Sequence, residues 1–234
     1  MPSYFGLQIT EEINALKKIT SEIEKPVSLI IGGSKISTKI KIIKNLAKKF
    51  NNIVIVGGMA NTMLKYTGSN IGKSICENDC GSLVNEIVDI SKRFDCKITC
   101  PIDAVVSKNF DGTGEKKDIK EINDDEMILD VGPKTILMIK KIIEVSNTVL
   151  WNGPAGYFEN PNFQNGTKEI LHAISNKTID DKIFSVAGGG ETVAAINKFK
   201  KLGSFTFVST AGGAFSEHLE GKTLPGIKVL NRDV

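Results

Sequence analysis

Two lysines four residues apart, Lys35 and Lys39, follow the pair Gly32-Gly33. On a helix that spacing puts both amines on one face, at its start. Two cations beside a glycine-rich backbone suit a polyphosphate, because an ammonium is a point charge that tracks a moving phosphoryl group. A solvated basic face, continued by Lys41, Lys44, Lys48 and Lys49, explains the same spacing. A second candidate is Gly188-Gly189-Gly190, which runs straight into Glu191-Thr192-Val193. This reads as a loop feeding a helix N-terminus, whose free amides hold phosphate oxygens. Glu191 suits Mg²⁺, which takes one or two carboxylates together with phosphate and water. It is equally an ordinary acid of a first helical turn. Ser209-Thr210-Ala211-Gly212-Gly213 leads into another helical stretch in the same way. Glu159 closes a glycine and aromatic loop beginning at Trp151, where it can accept hydrogen bonds from ribose hydroxyls or simply face solvent.

Other familiar patterns fail. Gly32-Gly33-Ser34-Lys35 does not match the G-x-G-x-x-G fingerprint of a dinucleotide site. Gly68 to Ser74 is one residue short of a P-loop and follows a helical stretch rather than a strand, so it reads as structural. Cys76, Cys80, Cys96 and Cys100 form two C-x3-C pairs, wider than the usual zinc knuckle. Packing or surface thiols in a reducing compartment are the better reading. His172 and His218 are single histidines on helical stretches, with no nucleophile beside them.

These residues need elements to hold them. Short apolar runs recur at Val27–Ile31, Ile53–Val56, Ile98–Cys100 with Ile102–Val106, Met127–Leu129, Thr148–Trp151, Ile183–Ala187 and Phe205–Val208. Several are continuous and β-branched, as in strands buried on both faces of a parallel sheet. Helical patterns fall at 7–25, 36–49, 59–66, 78–94, 134–145, 166–176, 191–201 and 213–220. The alternation predicts an α/β fold: a doubly wound, mainly parallel sheet in a Rossmann-like three-layer α/β/α domain, 26–234, preceded by a helical region, 1–25. Residues 107–126 are polar and break the rhythm, as a surface hairpin does.

The 22 glycines are concentrated at strand ends: Gly32-Gly33, Gly57-Gly58, Gly132-Pro133, Gly153 to Gly156, Gly188 to Gly190 and Gly212-Gly213. In a parallel sheet all six turns share one rim, where open α/β sheets bind ligands. Composition agrees with an ordinary globular chain of 234 residues, 41% apolar and 24% charged. A net charge of +3 gives no concentrated basic patch for nucleic acid. No apolar run approaches the eighteen or so residues of a membrane span, and the N-terminus lacks a secretory signal's apolar core.

Taken together, GGSKISTKI (32–40), VGGMANTML (56–64), IGKS (71–74), PIDAVV (101–106), LDVGPKT (129–135), WNGPAGYFE (151–159), AGGGETVAAI (187–196) and STAGGAFSEHLEGKTLPG (209–226) resemble the carboxy-terminal, nucleotide-binding half of the phosphoglycerate kinase family. The resemblance implies phosphoryl transfer between 1,3-bisphosphoglycerate and ADP, with Mg²⁺, in a cytoplasmic, monomeric glycolytic enzyme. It gives Lys39 the nucleotide phosphates and Lys35 the transferring group. Gly57, Gly58 and Gly132 then surround the adenine, and Asn152 and Glu159 face the nucleotide, with Glu159 on the ribose. Gly189, Gly190, Glu191 and Thr192 hold phosphates and metal, and Gly212 and Gly213 face the transferred group. Glu191 stands where the family usually has Asp, and His218 where an apolar or aromatic residue is common. Family members are roughly twice this length, and their amino-terminal half, which binds 3-phosphoglycerate through arginine and histidine, has no counterpart here. The chain opens on PSYFG, similar to the entry into the family's inter-domain helix, which makes 7–25 that hinge. Only Arg93 and Arg232 supply arginine, so no substitute patch exists. The alternatives are a stand-alone adenine-nucleotide-binding module without catalysis, and a dinucleotide oxidoreductase.

Overall fold

A computed structural model describes residues 4–180 and 182–230. Pro2, Ser3 and Arg232 lie outside the described residues. The chain runs α1 (Leu7–Thr20), β1 (Val27–Ile31), α2 (Ile40–Leu46), β2 (Asn52–Ile55), α3 (Gly57–Tyr66), α4 (Gly81–Phe94), β3 (Lys97–Thr99), β4 (Asp103–Ser107) and β5 (Glu115–Asp118). It continues with β6 (Met127–Val131), α5 (Pro133–Glu144), β7 (Thr148–Asn152), α6 (Asn165–Ile179), β8 (Phe184–Ala187), α7 (Gly190–Lys198), β9 (Phe207–Val208), α8 (Gly213–Leu219) and α9 (Pro225–Leu230).

Six strands pair in parallel in the order β3-β2-β1-β7-β8-β9. The chain winds outward from β1 through β2 to β3, then returns to the other side of β1 with β7. Leu29 therefore pairs with Ile53 on one side and Leu150 on the other. Every residue of β1 and β7 is buried, as continuous apolar runs require of strands covered on both faces. Alternate residues of β1 serve different cores. Leu29 and Ile31 pack with Leu16, Ile43, Ile87 and Phe215 from α1, α2, α4 and α8. Ile30 packs with Ile139, Ile170 and Ile196 from α5, α6 and α7. Those two layers complete the three-layer α/β/α arrangement.

The expectation of one parallel rim needs correction. β4, β5 and β6 form a separate antiparallel sheet of order β5-β4-β6, with its own core of Leu64, Ile71, Ala104, Val106, Ile119 and Ile122. The polar stretch 107–126 is the expected hairpin arm, with β4 and β5 paired antiparallel. Gly132 follows β6, so it stands off the parallel sheet and only five glycine turns share the rim. The helix at 36–49 also shrinks to α2, beginning at Ile40. Lys35 lies in the preceding loop and Lys39 is the N-cap, so the two lysines do not share a helix face. Thr38 Oγ1 donates to the Lys35 carbonyl at 2.8 Å, and Lys39 N–H donates to the Ile36 carbonyl at 3.0 Å. Side-chain bonding of this kind offers the backbone a turn in place of a helix. At the start of the chain, α1 ends at Thr20, five residues before its expected end.

Gly68 to Ser74 is used structurally. Lys73 N–H donates to the Glu126 carbonyl at 2.7 Å, and a Cβ on Gly72 would lie 2.3 Å from that oxygen. The segment is bridged to β6 at Gly72 and Met127, and the Gly72 and Ser74 amides are spent within it on Asn70 Oδ1 and the Ile71 carbonyl.

Candidate functional site

The strand order reverses between β1 and β7, and a crevice opens at the carboxyl ends of such a pair. Its floor is unusually tight. Gly32 N–H donates to the Asn152 carbonyl at 2.9 Å, and a Cβ on Gly32 would lie 2.3 Å from the Pro154 carbonyl oxygen. Gly153 adopts φ +115°, a conformation that side chains resist. Glycine is thus required where the two loops cross.

Two cavities meet above this crossing and share Gly33, Ser34 and Glu191 in their walls. One, of about 210 Å³, is mostly apolar, with Ala60, Leu64, Ile128, Val131, Pro154 and Phe158 around it. Gly57 and Gly58 from the start of α3 lie at one side and Glu159 at its exposed edge. The other, of about 350 Å³, is more polar and includes Lys39, Asn152, Gly189, Gly190, Thr192, Gly212 and Gly213. A flat heteroaromatic ring fits the first in character, and an anion fits the second.

Lys39 reaches the polar cavity with its amine fixed. Its Nζ donates to Asn152 Oδ1 at 2.5 Å, and Asn152 Nδ2 donates to the Gly188 carbonyl at 2.7 Å. Asn152 is buried at the end of β7, so a rigid strand orients the lysine. Burial lowers the Lys39 pKa, while the charges of Glu191 and Glu220 partly restore it. A poorly hydrated ammonium facing a cavity is an unmet demand for negative charge.

The glycine triple divides its work. A Cβ on Gly188 would strike the Phe215 ring at 2.3 Å, so this glycine serves packing. Gly189, at φ +95°, turns the chain into α7, and Gly190 begins that helix at the cavity. Thr192 is buried, and its Oγ1 accepts the Gly153 N–H at 2.7 Å, which ties α7 to the crossing. Glu191 is exposed and lies where the cavities join. Gly212 and Gly213 bring the loop before α8 to the far side, where Ser209 Oγ donates to Glu12 of α1.

Two expected residues stand elsewhere. Lys35 is exposed and lines neither cavity. Gly132 is also absent from both walls. The α5 N-terminus that it opens is already capped by Asp103, which accepts from Lys134 N–H at 2.8 Å and Thr135 N–H at 2.7 Å. No amide there is left for a ligand.

Residues without a local signal join the site. Phe110, alone among polar neighbours on the hairpin arm, meets Tyr157 edge to face with ring centres 5.9 Å apart, and both line the apolar cavity. Asn160 and Asn162 donate to the carbonyls of Phe110 and Gly112, at 2.9 and 3.0 Å, and dock the arm there. Asp130, buried at the end of β6, also lines the apolar cavity. Burial pushes its carboxyl up to about 7, against hydrogen bonds from Gly166 N–H and Val131 N–H that favour the charged form. Among the described residues no group of three or more His, Cys, Asp and Glu gathers to hold a metal. All four cysteines are free, and burial raises the Cys96 and Cys100 thiols to about 11 and about 12.

A family model for phosphoglycerate kinase matches residues 1–222. The chain belongs to the phosphoglycerate kinase family. It is 43% identical over 234 residues to the phosphoglycerate kinase of Xanthobacter autotrophicus, covering 99% of this chain and 59% of that protein. Against the phosphoglycerate kinase of Rhizobium johnstonii the identity is 44%, over 99% of this chain and 58% of the relative. The structure of phosphoglycerate kinase from Coxiella burnetii superposes with a TM-score of 0.92 at 38% identity, covering 96% of this chain and 57% of that one. The Pyrococcus horikoshii phosphoglycerate kinase gives 0.84 at 27% identity. The chain thus spans under two thirds of the phosphoglycerate kinases it matches. Among its described residues no helix is long and apolar enough to cross a membrane.

Proposed function

We propose that this chain is the nucleotide-binding part of a phosphoglycerate kinase and binds ADP or ATP across the two joined cavities. The observation that carries the reading is the junction itself: an apolar cavity and a lysine-bearing polar cavity share the wall at Gly33, Ser34 and Glu191. Adenine occupies the first, with Glu159 at the ribose. The phosphates lie in the second, against Lys39 and the backbone of Gly189, Gly190, Gly212 and Gly213.

Mg²⁺ suits this donor set. A single exposed carboxylate, Glu191, faces the polar cavity, and magnesium carried on phosphates asks for little more from protein. When bound, the ion neutralises charge on the phosphates. The chain's own part is positioning: Asn152 aims the Lys39 ammonium, and the helix α7 N-terminus adds favourable dipole. Phosphoryl transfer asks mainly for such placement and charge stabilisation. The reaction moves a phosphoryl group from the acyl phosphate of 1,3-bisphosphoglycerate to the terminal oxygen of ADP. Lys35, exposed outside the cavities, has no part in nucleotide binding in this reading.

The 3-phosphoglycerate site belongs to the portion of the relatives that this chain does not span. Tyr4 and Leu7, 85% and 87% exposed at the start of α1, are where that portion would pack. Calorimetry with ADP, beside a coupled assay with 3-phosphoglycerate and Mg-ATP, tests the reading. Micromolar-to-millimolar ADP binding with little or no turnover is expected. Robust turnover by the pure chain would refute the division of labour. A non-catalytic nucleotide-binding module differs in one respect: supplying the relatives' remaining portion would leave it inactive.

A further inference from the structure

The loop that delivers Lys39 has an external fastener. Between β1 and α2 the loop Ser34–Lys39 is held from beneath by Ile36, which is fully buried. From the side it is held by Glu77, in the segment joining α3 to α4. Ser37 N–H donates to Glu77 Oε2 at 3.0 Å, and Ser37 Oγ donates to Glu77 Oε1. Both carboxylate oxygens thus accept from this one loop residue. Glu77 N–H in turn donates to Thr62 Oγ1 at 3.0 Å, and Thr62 Oγ1 donates to the Gly58 carbonyl at 3.2 Å. A continuous chain of hydrogen bonds runs from the first turn of α3, at the apolar cavity, through Glu77 to the lysine-bearing loop.

Glu77 lines neither cavity, and its carboxylate makes no ion pair among the described residues. An acid committed to bidentate capture of an exposed serine does little for the core. Its effect falls on the loop. Although desolvation opposes the charge, hydrogen bonds from Ser37, with lesser ones from Cys80 and Ile36, hold the carboxyl below its ordinary value. The fastener is thus charged at neutral pH.

We propose that Glu77 is a positioning residue for nucleotide phosphates, acting through Ser37 to fix the loop that presents the Lys39 amine. The proposal rests on the nucleotide reading above. It also explains a separation in the site: the base cavity is built mainly from α3, β6 and the Gly153–Glu159 loop and takes only Ser34 from the lysine-bearing loop, whereas Thr38 and Lys39 line the phosphate cavity alone. Loosening the Ser37–Lys39 end of the loop, where Glu77 holds it, should cost phosphate recognition and spare base recognition.

The test compares ADP and adenosine by calorimetry on the 234-residue chain and on Glu77→Ala, Glu77→Gln and Ser37→Ala, with thermal unfolding to confirm folding. Glu77→Ala is expected to weaken ADP about tenfold and leave adenosine unchanged, since small displacements of a positioned group carry large penalties. Glu77→Gln keeps one acceptor for the Ser37 N–H and should recover part of the loss. Ser37 is exposed, so Ser37→Ala should fold and give a smaller loss of ADP alone. ADP affinity unchanged in both Ala variants would overturn the proposal, as would equal losses of ADP and adenosine. Failure of the unsubstituted chain to bind either ligand would instead overturn the nucleotide reading.

Discussion

Lys39 carries more of the site than any other side chain. It is half-buried, aimed by Asn152 and faced by two acids, Glu191 and Glu220. Lys39→Met should weaken ADP about ten- to hundredfold, the range for a hydrogen bond to a charged group, while adenosine binds as before. Calorimetry with the two ligands reads the difference. Because burial lowers the Lys39 pKa, the unsubstituted chain should begin to lose ADP affinity at an alkaline pH where an ordinary lysine is still charged. Asp130 makes the second pH prediction. Its folded pKa, about 7, lies above that of an unfolded carboxyl, so the folded chain binds the extra proton. The resulting stability is complete below about pH 4 and is lost as pH rises through 7. Thermal unfolding between pH 5 and 8 should show this decline, a few degrees in melting temperature. Asp130→Asn, which cannot ionise, should flatten it.

At the scale of elements, the crossing of the β1 and β7 loops is the critical joint. Gly32→Ala would drive a methyl into the Pro154 carbonyl, a backbone atom that can yield only by moving the loop. A loss of about 2–3 kcal/mol in urea unfolding is expected, with weaker nucleotide binding alongside. These central strands were legible from residues alone, because a run such as Val27–Ile31 has apolar side chains for both faces. The glycine pairs after them marked the rim for the same reason: only glycine tolerates such close backbone approach. Two features were not legible. Met127–Leu129 looks like any buried strand, yet its direction depends on pairing with β4, a contact across twenty residues or more. The helical pattern at 36–49 puts Lys35 at the start of a helix, but α2 begins at Ile40 and Ile36 enters the core from a turn. The helix face expected to join Lys35 to Lys39, and the rim position expected of Gly132, changed for these two reasons. Phe110 was missed because its partner, Tyr157, lies on another sheet's loop.

For the whole molecule, the structure joins a family whose matched members are longer than this chain. β1, β7 and the loops that form the crevice all lie within this chain. Nucleotide binding is therefore expected of the chain by itself, and turnover is not. The central claim is that the joined cavities take an adenine nucleotide. Calorimetric titration with ADP, with and without Mg²⁺ and beside NAD, tests it most directly. The expected result is saturable ADP binding, altered by Mg²⁺, with no comparable binding of NAD. Absence of both heat and thermal shift with ADP, or equal binding of NAD, would contradict it.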